Sequence, residues 1–451
     1  MAGQLILGLS ILVTLHEFGH FITAKWFKMR VDKFYLFFDF LFPIPTVLNF
    51  ALFKKKVGDT EYGLGWFPLG GYVSIAGMID ETQDAATLAK EPEPWEFRAK
   101  PAYQRLIVML GGVIVNVITG VVIFIALTFS NGNNFISKDE LNKNGIVALE
   151  LGKQIGLQTG DKVVRVNGAD YKSLADLRTS DVLLGENSSY TVLRNGQEIV
   201  VKIPSNFIEK LSDKKAAFIE PMAAFKVAEV AAPEEPGSQD GELLPAFSAG
   251  LKAGDYITAV NGQSIHFYHE IKEVLGKEAG KSIKLAINRQ GKSDTLSMVV
   301  SKTGQIGFLP ELLIKTTHED YTFAQSLSIG TGRAFSVISD NIRGFKKIAT
   351  GDVSASKALS GPIGIAQMFG GVWDWNRFWM LTGLLSMALA FMNILPIPAL
   401  DGGHAIFLIY EMITGKPASE KVLERAQQVG MIILLALMAY TFGNDLVKAF
   451  F

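Results

Sequence analysis

The stretch Leu5-Ile-Leu-Gly-Leu-Ser-Ile-Leu-Val-Thr-Leu-His-Glu-Phe-Gly-His-Phe-Ile-Thr-Ala24 contains one formally charged residue, Glu17. About 20 such residues cross the hydrocarbon core of a bilayer. The stretch is longer than the ~7–15 apolar residues of a signal peptide, and Lys25 and Lys28 follow it. We therefore expect it to remain in the protein as a membrane-spanning helix.

Three more stretches are long and apolar enough to cross a bilayer. They are residues 106–129, 378–400 and 426–444, and none of them contains a charged residue. Together with the first stretch they predict a multi-pass α-helical membrane protein with four transmembrane helices. The segment between the second and third spans has the ordinary composition of a water-soluble domain.

The overall composition excludes several classes of protein. Of 451 residues, 49% are hydrophobic and only 19% are charged, which is too apolar for a disordered chain. The 43 basic and 44 acidic side chains leave a net charge of −1, so we expect no nucleic-acid partner. Cysteine is absent, which excludes disulfides, thiolate metal ligands and cysteine nucleophiles. Any metal ion is therefore expected on nitrogen and oxygen ligands.

A short segment recurs between the second and third spans. Residues 156–168, Gly-Leu-Gln-Thr-Gly-Asp-Lys-Val-Val-Arg-Val-Asn-Gly, and residues 250–262, Gly-Leu-Lys-Ala-Gly-Asp-Tyr-Ile-Thr-Ala-Val-Asn-Gly, are identical at seven of thirteen positions. Such self-similarity predicts two copies of one module. Each copy precedes a stretch that alternates apolar and polar residues around a turn, Tyr190–Ile203 or Ser282–Val300. Each of these stretches is predicted to form a β-hairpin.

Basic residues are concentrated around the connection between the first and second spans. Seven basic residues flank this connection: Lys25, Lys28, Arg30, Lys33, Arg98, Lys100 and Arg105. Residues 131–145, after the second span, contain only two. The positive-inside rule therefore places the connection in the cytoplasm. The repeated modules are then expected outside the cytoplasm, as are both termini.

Metal-binding chemistry is predicted within the first span. His16-Glu17-Phe18-Gly19-His20 is a His-Glu-x-x-His motif. Residues four apart lie on one face of a helix, so both imidazoles can reach one zinc ion with Glu17 beside it as a general base. Ionisable groups in a spanning helix cost at least ~2.5–3.5 kcal/mol each and usually mark a functional interior. The alternative is a polar face that lines a helix bundle.

A third protein ligand is expected, because catalytic zinc usually has three together with an open position. Pro396 and Pro398 cannot continue a helix, so the third span should unwind there. Asp401 follows this break and is the only carboxylate in residues 378–410; we predict that it is the third ligand. Two alternatives remain: Asp401 caps the helix that resumes after the break, or His404 competes as a ligand.

These two motifs together resemble the site-2 metalloprotease family of intramembrane proteases. That family combines His-Glu-x-x-His in the first span with Asn-x-x-Pro-x-Pro-x-Leu-Asp-Gly in a later one, which here is residues 393–402. Residues 65–73, 95–101, 360–366 and 442–445 are similar to other recurring segments of the family. Gly112-Val-Ile-Val-Asn116 is similar to one more, with Val113 in place of the usual proline. The resemblance covers nearly the whole chain and implies zinc as the cofactor.

The resemblance implies four transmembrane helices, a membrane-associated β-hairpin region and two inserted β-rich PDZ-like domains. The expected segments are the first transmembrane helix with the zinc motif (1–30), a cytoplasmic-side loop with the β region (31–103), the second transmembrane helix (104–130), the PDZ-like domains (137–220 and 221–313), an amphipathic connecting region (320–376), a third transmembrane segment broken at the Asp401 motif (377–411) and the fourth transmembrane helix (426–447).

The implied activity is zinc-dependent cleavage of single-pass membrane proteins inside the bilayer. The family's characteristic substrates are anti-sigma factors that have already received an extracytoplasmic cut, and remnant signal peptides. The resemblance implies a bacterial inner membrane, an active site toward the cytoplasmic side, and periplasmic PDZ-like domains that bind peptide termini. The alternative is a catalytically inactive scaffold that binds peptides through these domains, although the intact Glu17 argues against it. A metal transporter fits poorly with a proline-broken span and peptide modules.

Substrate contacts are expected in two places. A spanning helix hides its carbonyls in internal hydrogen bonds, so a substrate must unwind before it is cut. Tyr62–Ile75, with Gly70, Gly71 and Tyr72, could form a hairpin that binds the unwound segment as an added strand, or else an interfacial loop. Asn393 is expected to hydrogen-bond the substrate backbone or the developing oxyanion. Its alternative role is to satisfy carbonyls freed at the helix break.

Overall fold

The computed structural model describes residues 1–40, 48–68, 70–78, 91–211, 218–231 and 245–450. The chain forms two compact units, one of residues 1–132 and 320–451 and the other of residues 133–319. The apolar loop at residues 34–53, for which the sequence indicates no role, lies partly outside the described residues.

Six helices of more than ten residues build the described part of the first unit. They are α1 (Ala2–Trp26), α2 (Ala102–Asn131), α3 (Phe323–Ala349), α4 (Trp375–Ile394), α5 (Asp401–Thr414) and α6 (Glu420–Phe450). Shorter helical turns lie at Phe97–Ala99, Ala355–Ala358 and Pro362–Met368. Among the described residues four helices, α1, α2, α4 and α6, are long and apolar enough to cross a membrane, which confirms the number of spans predicted from hydropathy.

Helix α2 lies at the centre of this unit, because α1, α3 and α4 all pack against it. Its contact with α1 is made by backbone. A Cβ atom at Gly19 would lie 2.3 Å from the carbonyl oxygen of Gly111, and one at Gly111 would lie 2.5 Å from that of Gly19. Small residues allow such close approach between membrane helices. The His-Glu-x-x-His turn of α1 is therefore pressed directly against α2.

The helical conformation is interrupted between α4 and α5. Helix α4 ends at Ile394, and α5 begins at Asp401 after an irregular segment that contains both prolines. Glycines follow the break, because a Cβ atom at Gly402 would lie 2.4 Å from the carbonyl oxygen of Leu395. One at Gly403 would lie 2.5 Å from that of Ile397. The break is thus a compact turn that delivers Asp401 at the start of a new helix.

A four-stranded sheet follows α1 in the first unit. Its strands are β1 (Val31–Leu36), β2 (Ala51–Val57), β3 (Thr60–Gly65) and β4 (Tyr72–Ile75), in the order β2-β3-β1-β4. Strand β1 is parallel to β3 and antiparallel to β4, and β2 forms a hairpin with β3. The hairpin expected over Tyr62–Ile75 is therefore wrong, because β3 and β4 lie on opposite sides of β1. The tight turn instead falls at Gly58, whose φ of +60° suits glycine.

The second unit contains two hydrophobic cores, one within residues 141–219 and the other within residues 225–306. Around the first core lie strands Ile146–Ala148, Lys162–Val166, Ser189–Arg194, Gln197–Lys202 and Ile219–Pro221, with helical segments Lys138–Asn144, Glu150–Gln154, Leu174–Arg178, Ser180–Leu183 and Phe207–Leu211. Around the second lie strands Phe225–Val230, Tyr256–Val260, Gln263–Ser264, Ser282–Arg289, Lys292–Val299 and Phe308–Leu312, with helices Pro245–Ser248 and Tyr268–Lys277. Strands Asn133–Phe135 and Thr317–Glu319 pair with each other. The hairpins predicted at Tyr190–Ile203 and Ser282–Val300 are confirmed.

The repeated Gly-Asp segment makes the same contact around each core. Arg194 donates two hydrogen bonds of 2.7 Å to Asp161. It donates a third, of 2.8 Å, to the carbonyl oxygen of Gly156, five residues before Asp161. Arg289 makes the same three contacts with Asp255 and its glycine. The side chains of both aspartates are 1% exposed. The sequence repeat is therefore also a repeat of structure.

Candidate metal centre

Three side chains from opposite ends of the sequence converge in the first unit. His16 Nε2 lies 3.3 Å from His20 Nε2, one turn further along α1. Asp401 Oδ2 lies 3.3 Å from His16 Nε2 and 3.5 Å from His20 Nε2. Groups of three or more His, Asp or Glu residues whose potential ligand atoms lie within 4.8 Å of one another could hold a metal ion. In the part of the chain that the structure describes, His16, His20 and Asp401 form the one such group.

These separations fit a tetrahedral ion. Nitrogen and oxygen ligands at ~2.0–2.1 Å from tetrahedral zinc lie ~3.3–3.4 Å from each other. Asp401 Oδ2 is buried and makes no hydrogen bond, although it is within ion-pair distance of both imidazoles. Burying a carboxylate oxygen without a partner is costly, so this atom is suited to a cation. Gly112 leaves the necessary space, because a Cβ atom there would lie 2.5 Å from His20 Nε2.

The two alternatives for the third ligand fit the structure less well. Leu400 is the N-cap residue of α5, Asp401 occupies the first helical position, and no side-chain hydrogen bond caps this end. His404, one turn further on, is outside the three-residue group and lines the adjoining cavity. The geometry therefore favours Asp401 as a ligand over a capping Asp401 and over His404.

Groups on α2 orient both imidazoles. His20 Nδ1 lies 2.8 Å from the carbonyl oxygen of Val108, so Nδ1–H donates and Nε2 is left for an ion. His16 Nδ1 lies 3.2 Å from the side-chain amide of Asn116. Asn116 Oδ1 is otherwise buried without a partner, and an amide turned so that Oδ1 accepts Nδ1–H satisfies it. Asn116 then holds His16 in the tautomer that presents Nε2.

Asn116 and Val108 are neighbours of the site to which the sequence analysis gave no role. A single amide within an apolar span was a usable signal for Asn116, because a polar group at membrane depth needs a partner. No sequence signal marks Val108, since the backbone carbonyl is common to every residue type. Its role depends on the close contact of α1 with α2.

Glu17 lies beside the imidazoles and faces strand β4. It lines a cavity of about 230 Å³ together with His16, His20, Asp401 and Val73. The backbone of Val73 lies close to the Glu17 carboxylate. This arrangement orients a carboxylate next to the convergent nitrogens, where a general base would be needed.

Of the predicted substrate residues, Asn393 and Tyr72 lie at the site. Asn393 Nδ2 is 3.3 Å from His16 Nε2, on the last turn of α4. Tyr72 lines the cavity, and its hydroxyl donates to Asp39 at 3.0 Å. Burial and the Asp39 carboxylate raise the pKa of Tyr72 above its ordinary value, so this hydroxyl stays protonated.

The other two predicted substrate residues, Gly70 and Gly71, are not part of the cavity wall as the described residues define it. A Cβ atom at Gly70 would lie 2.4 Å from the Phe38 ring, and one at Gly71 would lie 2.6 Å from the carbonyl oxygen of Tyr35. Their absent side chains therefore let the segment before β4 pack closely against β1 and the residues that follow it.

Comparison with known proteins identifies the family. The Peptidase family M50 matches residues 4–437, from the beginning of α1 into α6. The chain belongs to Peptidase family M50. This M50 chain is 29% identical to the regulator of sigma-E protease RseP of Escherichia coli (strain K12), over 98% of this chain and 97% of that protein. It is 28% identical, over 98% of both chains, to a Neisseria meningitidis protein that is named a zinc metalloprotease.

A third relative agrees with these two. The regulator of sigma E protease of Salmonella typhimurium (strain LT2) is 29% identical over 98% of this chain and 97% of that protein. Membership of family M50, the names of the relatives and the apolar helices together make the protein a zinc metalloprotease of the membrane, of the site-2 type. Zinc is its cofactor, as expected from the sequence.

Proposed function

We propose that this metalloprotease cleaves peptide bonds within the membrane, with His16, His20 and Asp401 as zinc ligands and Glu17 as general base. One observation carries the proposal. The two imidazole nitrogens and the carboxylate oxygen converge at 3.3–3.5 Å beside Glu17. The two histidines belong to a helix long and apolar enough to span a membrane, and the aspartate follows the break at the end of a second such helix.

The residues around the centre can be given separate roles in hydrolysis. Zinc bound there supplies a water of pKa about 7 and polarises the scissile carbonyl. Glu17, beside Val73 in the same cavity wall, accepts a proton from the attacking water and delivers it to the leaving amide nitrogen. Asn393 carries no titratable proton, and its Nδ2 donates a hydrogen bond to the substrate backbone or to the developing oxyanion.

Strand β4 is the proposed docking site for an unwound substrate. It forms one edge of the four-stranded sheet, and Tyr72, Val73 and Ile75 line the cavity. An edge strand binds an extended peptide through main-chain hydrogen bonds. The strand-addition hypothesis therefore applies to β4, and no Tyr62–Ile75 hairpin is needed for it.

Residues 137–220 and 221–313 are proposed to be PDZ-like domains that bind peptide termini in the periplasm. The sequence repeat, the two cores and the matching Arg-Asp contacts support two copies of one module. These domains would admit anti-sigma-factor-type substrates after a first extracytoplasmic cut, and remnant signal peptides. The name regulator of sigma-E protease among the relatives supports that substrate class. The orientation in a bacterial inner membrane, with both termini outside, rests on the flanking basic residues.

A cleavage assay in liposomes tests the proposal. The full chain is reconstituted with a single-pass substrate whose outer domain has been removed, and cleavage within the spanning segment is expected. A chelator should stop cleavage, and added zinc should restore it. A substrate with an intact outer domain should be cut more slowly, and deletion of residues 137–313 should remove that difference. Cleavage confined to the soluble parts would contradict the proposal, and peptide binding without any cleavage would favour the scaffold.

A further inference from the structure

A second cavity, with both apolar and polar residues in its wall, lies in the first unit, at the opposite end of α4 from the proposed metal centre. It has a volume of about 510 Å³ and shares no lining residue with the cavity that contains Glu17. Its wall comes from the end of α2, from α3 and from the start of α4: Phe124, Leu127, Thr128, Asn131, Gly132, Arg333, Asp374, Asn376, Arg377 and Met380. Because α4 has 20 residues, the two ends are ~30 Å apart.

Two guanidinium groups line this cavity without an acidic partner. Arg333 donates from Nη1 to the hydroxyl of the buried Thr128 at 3.1 Å. Among the described residues, neither Arg333 nor Arg377 has a carboxylate within ion-pair distance. Asp374, the acidic residue in the wall, accepts the backbone N–H of Arg377 at 3.0 Å and so caps α4. Two positive charges therefore face one negative charge that is already engaged.

The guanidinium group of Arg377 lies beside Gly370. Gly370 has a φ of +77°, and a Cβ atom there would lie 2.4 Å from Arg377 Nη1. The guanidinium therefore lies against the backbone at Gly370. Beside it, Asn131 donates to Asn376 Oδ1 at 3.2 Å, which leaves the Nδ2 hydrogens of Asn376 available to a ligand. The wall thus offers several hydrogen-bond donors in one place.

Exposed aromatic side chains lie on the same helix ends as the cavity. Trp373 lies just before α4 and Trp375 is its first residue; they are 44% and 59% exposed. Their ring centroids lie 4.9 Å apart. Phe129 at the end of α2 packs against Phe323 at the start of α3, and both are exposed. Tryptophan is enriched at the interface between hydrocarbon and water. Arginines beside such aromatic side chains are expected near the phosphates of a leaflet.

We propose that this cavity binds the phosphate of an anionic phospholipid headgroup. Arginine recognises phosphate through paired, charge-assisted hydrogen bonds, and Arg333 and Arg377 together present two such forks. The net positive wall complements an anionic headgroup and gives no matching advantage to a zwitterionic one. The donors of Asn376 complete the binding site for the phosphate oxygens.

Lipid binding to the full chain in detergent tests the proposal, with native mass spectrometry to count the bound molecules. The probes are a short-chain phosphatidylglycerol, a phosphatidylcholine of the same chain length and inorganic phosphate. Phosphatidylglycerol is expected to bind most tightly. Arg333→Gln and Arg377→Gln should each weaken its binding about tenfold. Arg343→Gln is the matched control, because Arg343 lies on α3 outside the cavity and pairs with Asp340 at 3.7 Å; it should bind like the wild type.

Asn376→Asp tests the same site without removing an arginine. Asn376 is exposed and keeps an acceptor for Asn131 after the change, so folding should be preserved, and the added negative charge should weaken phosphatidylglycerol binding. Unchanged binding in all three cavity variants would overturn the proposal, as would an equal loss in Arg343→Gln. Displacement of the lipid by an equal concentration of inorganic phosphate, or by a peptide with a free terminal carboxylate, would overturn the assignment to lipid.

Discussion

His16 Nδ1 lies 3.2 Å from the side-chain amide of Asn116, a residue of α2 that is 1% exposed. This contact joins the first predicted ligand to the neighbouring span. Because Asn116 Oδ1 has no other partner, its natural role is to accept Nδ1–H and leave Nε2 for the ion. Asn116 is therefore a positioning residue, distinct from the groups that touch the metal.

Replacing Asn116 tests this role. Asn116→Leu removes the acceptor and is expected to lower zinc affinity by about 10- to 100-fold, the usual effect of losing such a partner. Asn116→Asp keeps an acceptor oxygen and should restore much of the affinity. Competitive zinc titration of the purified protein measures both values. Wild-type affinity in the leucine variant would show that the contact does not orient His16.

Glu17→Gln is expected to abolish cleavage while zinc content stays near that of the wild type. The amide is nearly isosteric but cannot accept a proton, and general-base catalysis typically contributes about 10²- to 10⁴-fold. Cleavage of a spanning substrate and metal analysis of the same sample give the two readouts. Glu150→Gln changes an exposed carboxylate of the second unit and serves as the control. Undiminished cleavage by the Glu17 variant would remove it from the role of base.

Asp401→Ala is expected to reduce zinc occupancy, because it removes one of three ligands. A suitable control is Asp374→Ala, which removes the aspartate that caps α4 through a 3.0 Å hydrogen bond. That change should cost about 1 kcal/mol of stability and leave zinc bound. Metal analysis and thermal unfolding separate the two effects. Full zinc retention in the Asp401 variant would mean that the ion is held elsewhere.

Gly112→Ala is expected to disrupt the metal centre by crowding. The added methyl group would lie 2.5 Å from both His16 Cε1 and His20 Nε2, so at least one imidazole must move. Gly443→Ala places the same methyl group on α6 with no atom within 4 Å and is the matched control. We expect strongly reduced zinc binding in the first variant and normal binding in the second. Similar zinc affinities in the two variants would contradict the packing argument.

Acid should destabilise the second module of residues 133–319 through Asp255. Burial alone raises the pKa of this carboxyl, but hydrogen bonds from Arg289 and from the Lys252 N–H outweigh burial and bring it below its ordinary value. A lowered folded pKa stabilises the protein above the unfolded pKa of about 4, and this contribution is lost as pH falls through the folded pKa. Asp255→Asn should therefore cost roughly 3 kcal/mol at neutral pH and reduce the acid dependence of unfolding.

Urea unfolding of the full chain from pH 7 down to pH 2 measures both quantities, monitored by hydrogen exchange of the strand Ser282–Arg289. Asp161→Asn, which breaks the equivalent contact around the first core, should leave the exchange of this strand unchanged. If the free energy of unfolding falls equally with pH in the wild type and in Asp255→Asn, Asp255 is excluded as the source of the acid destabilisation.

Local sequence features were enough to predict the four apolar helices and the proximity of His16, His20 and Asp401. Uninterrupted apolar length predicts a spanning helix, the spacing of His16 and His20 places them on one face, and Pro396 and Pro398 require a break. These are properties of a few neighbouring residues. The proximity of Asp401 to the histidines was inferred from the cost of burying a carboxylate and fits the observed distances.

Non-local pairing could not be predicted in the same way. Strands β3 and β4 are close in sequence, yet β1 lies between them, and nothing in their alternation of residues excludes a direct hairpin. The close packing at Gly19 and Gly111 likewise depends on how two helices meet. Gly70 and Gly71 were named as substrate contacts because they lie in the expected Tyr62–Ile75 hairpin, and the sequence did not show that they pack closely against Phe38 and Tyr35 respectively.

The break that delivers Asp401 has a consequence for biosynthesis. The two histidines are synthesised about 380 residues before the aspartate, an interval of roughly 20–80 s at ~5–20 residues per second. During that interval a nascent chain contains the two imidazoles but not the proposed third ligand. If Asp401 is the third ligand, as we propose, the enzyme gains the capacity to cut only after the break that follows α4 has been synthesised.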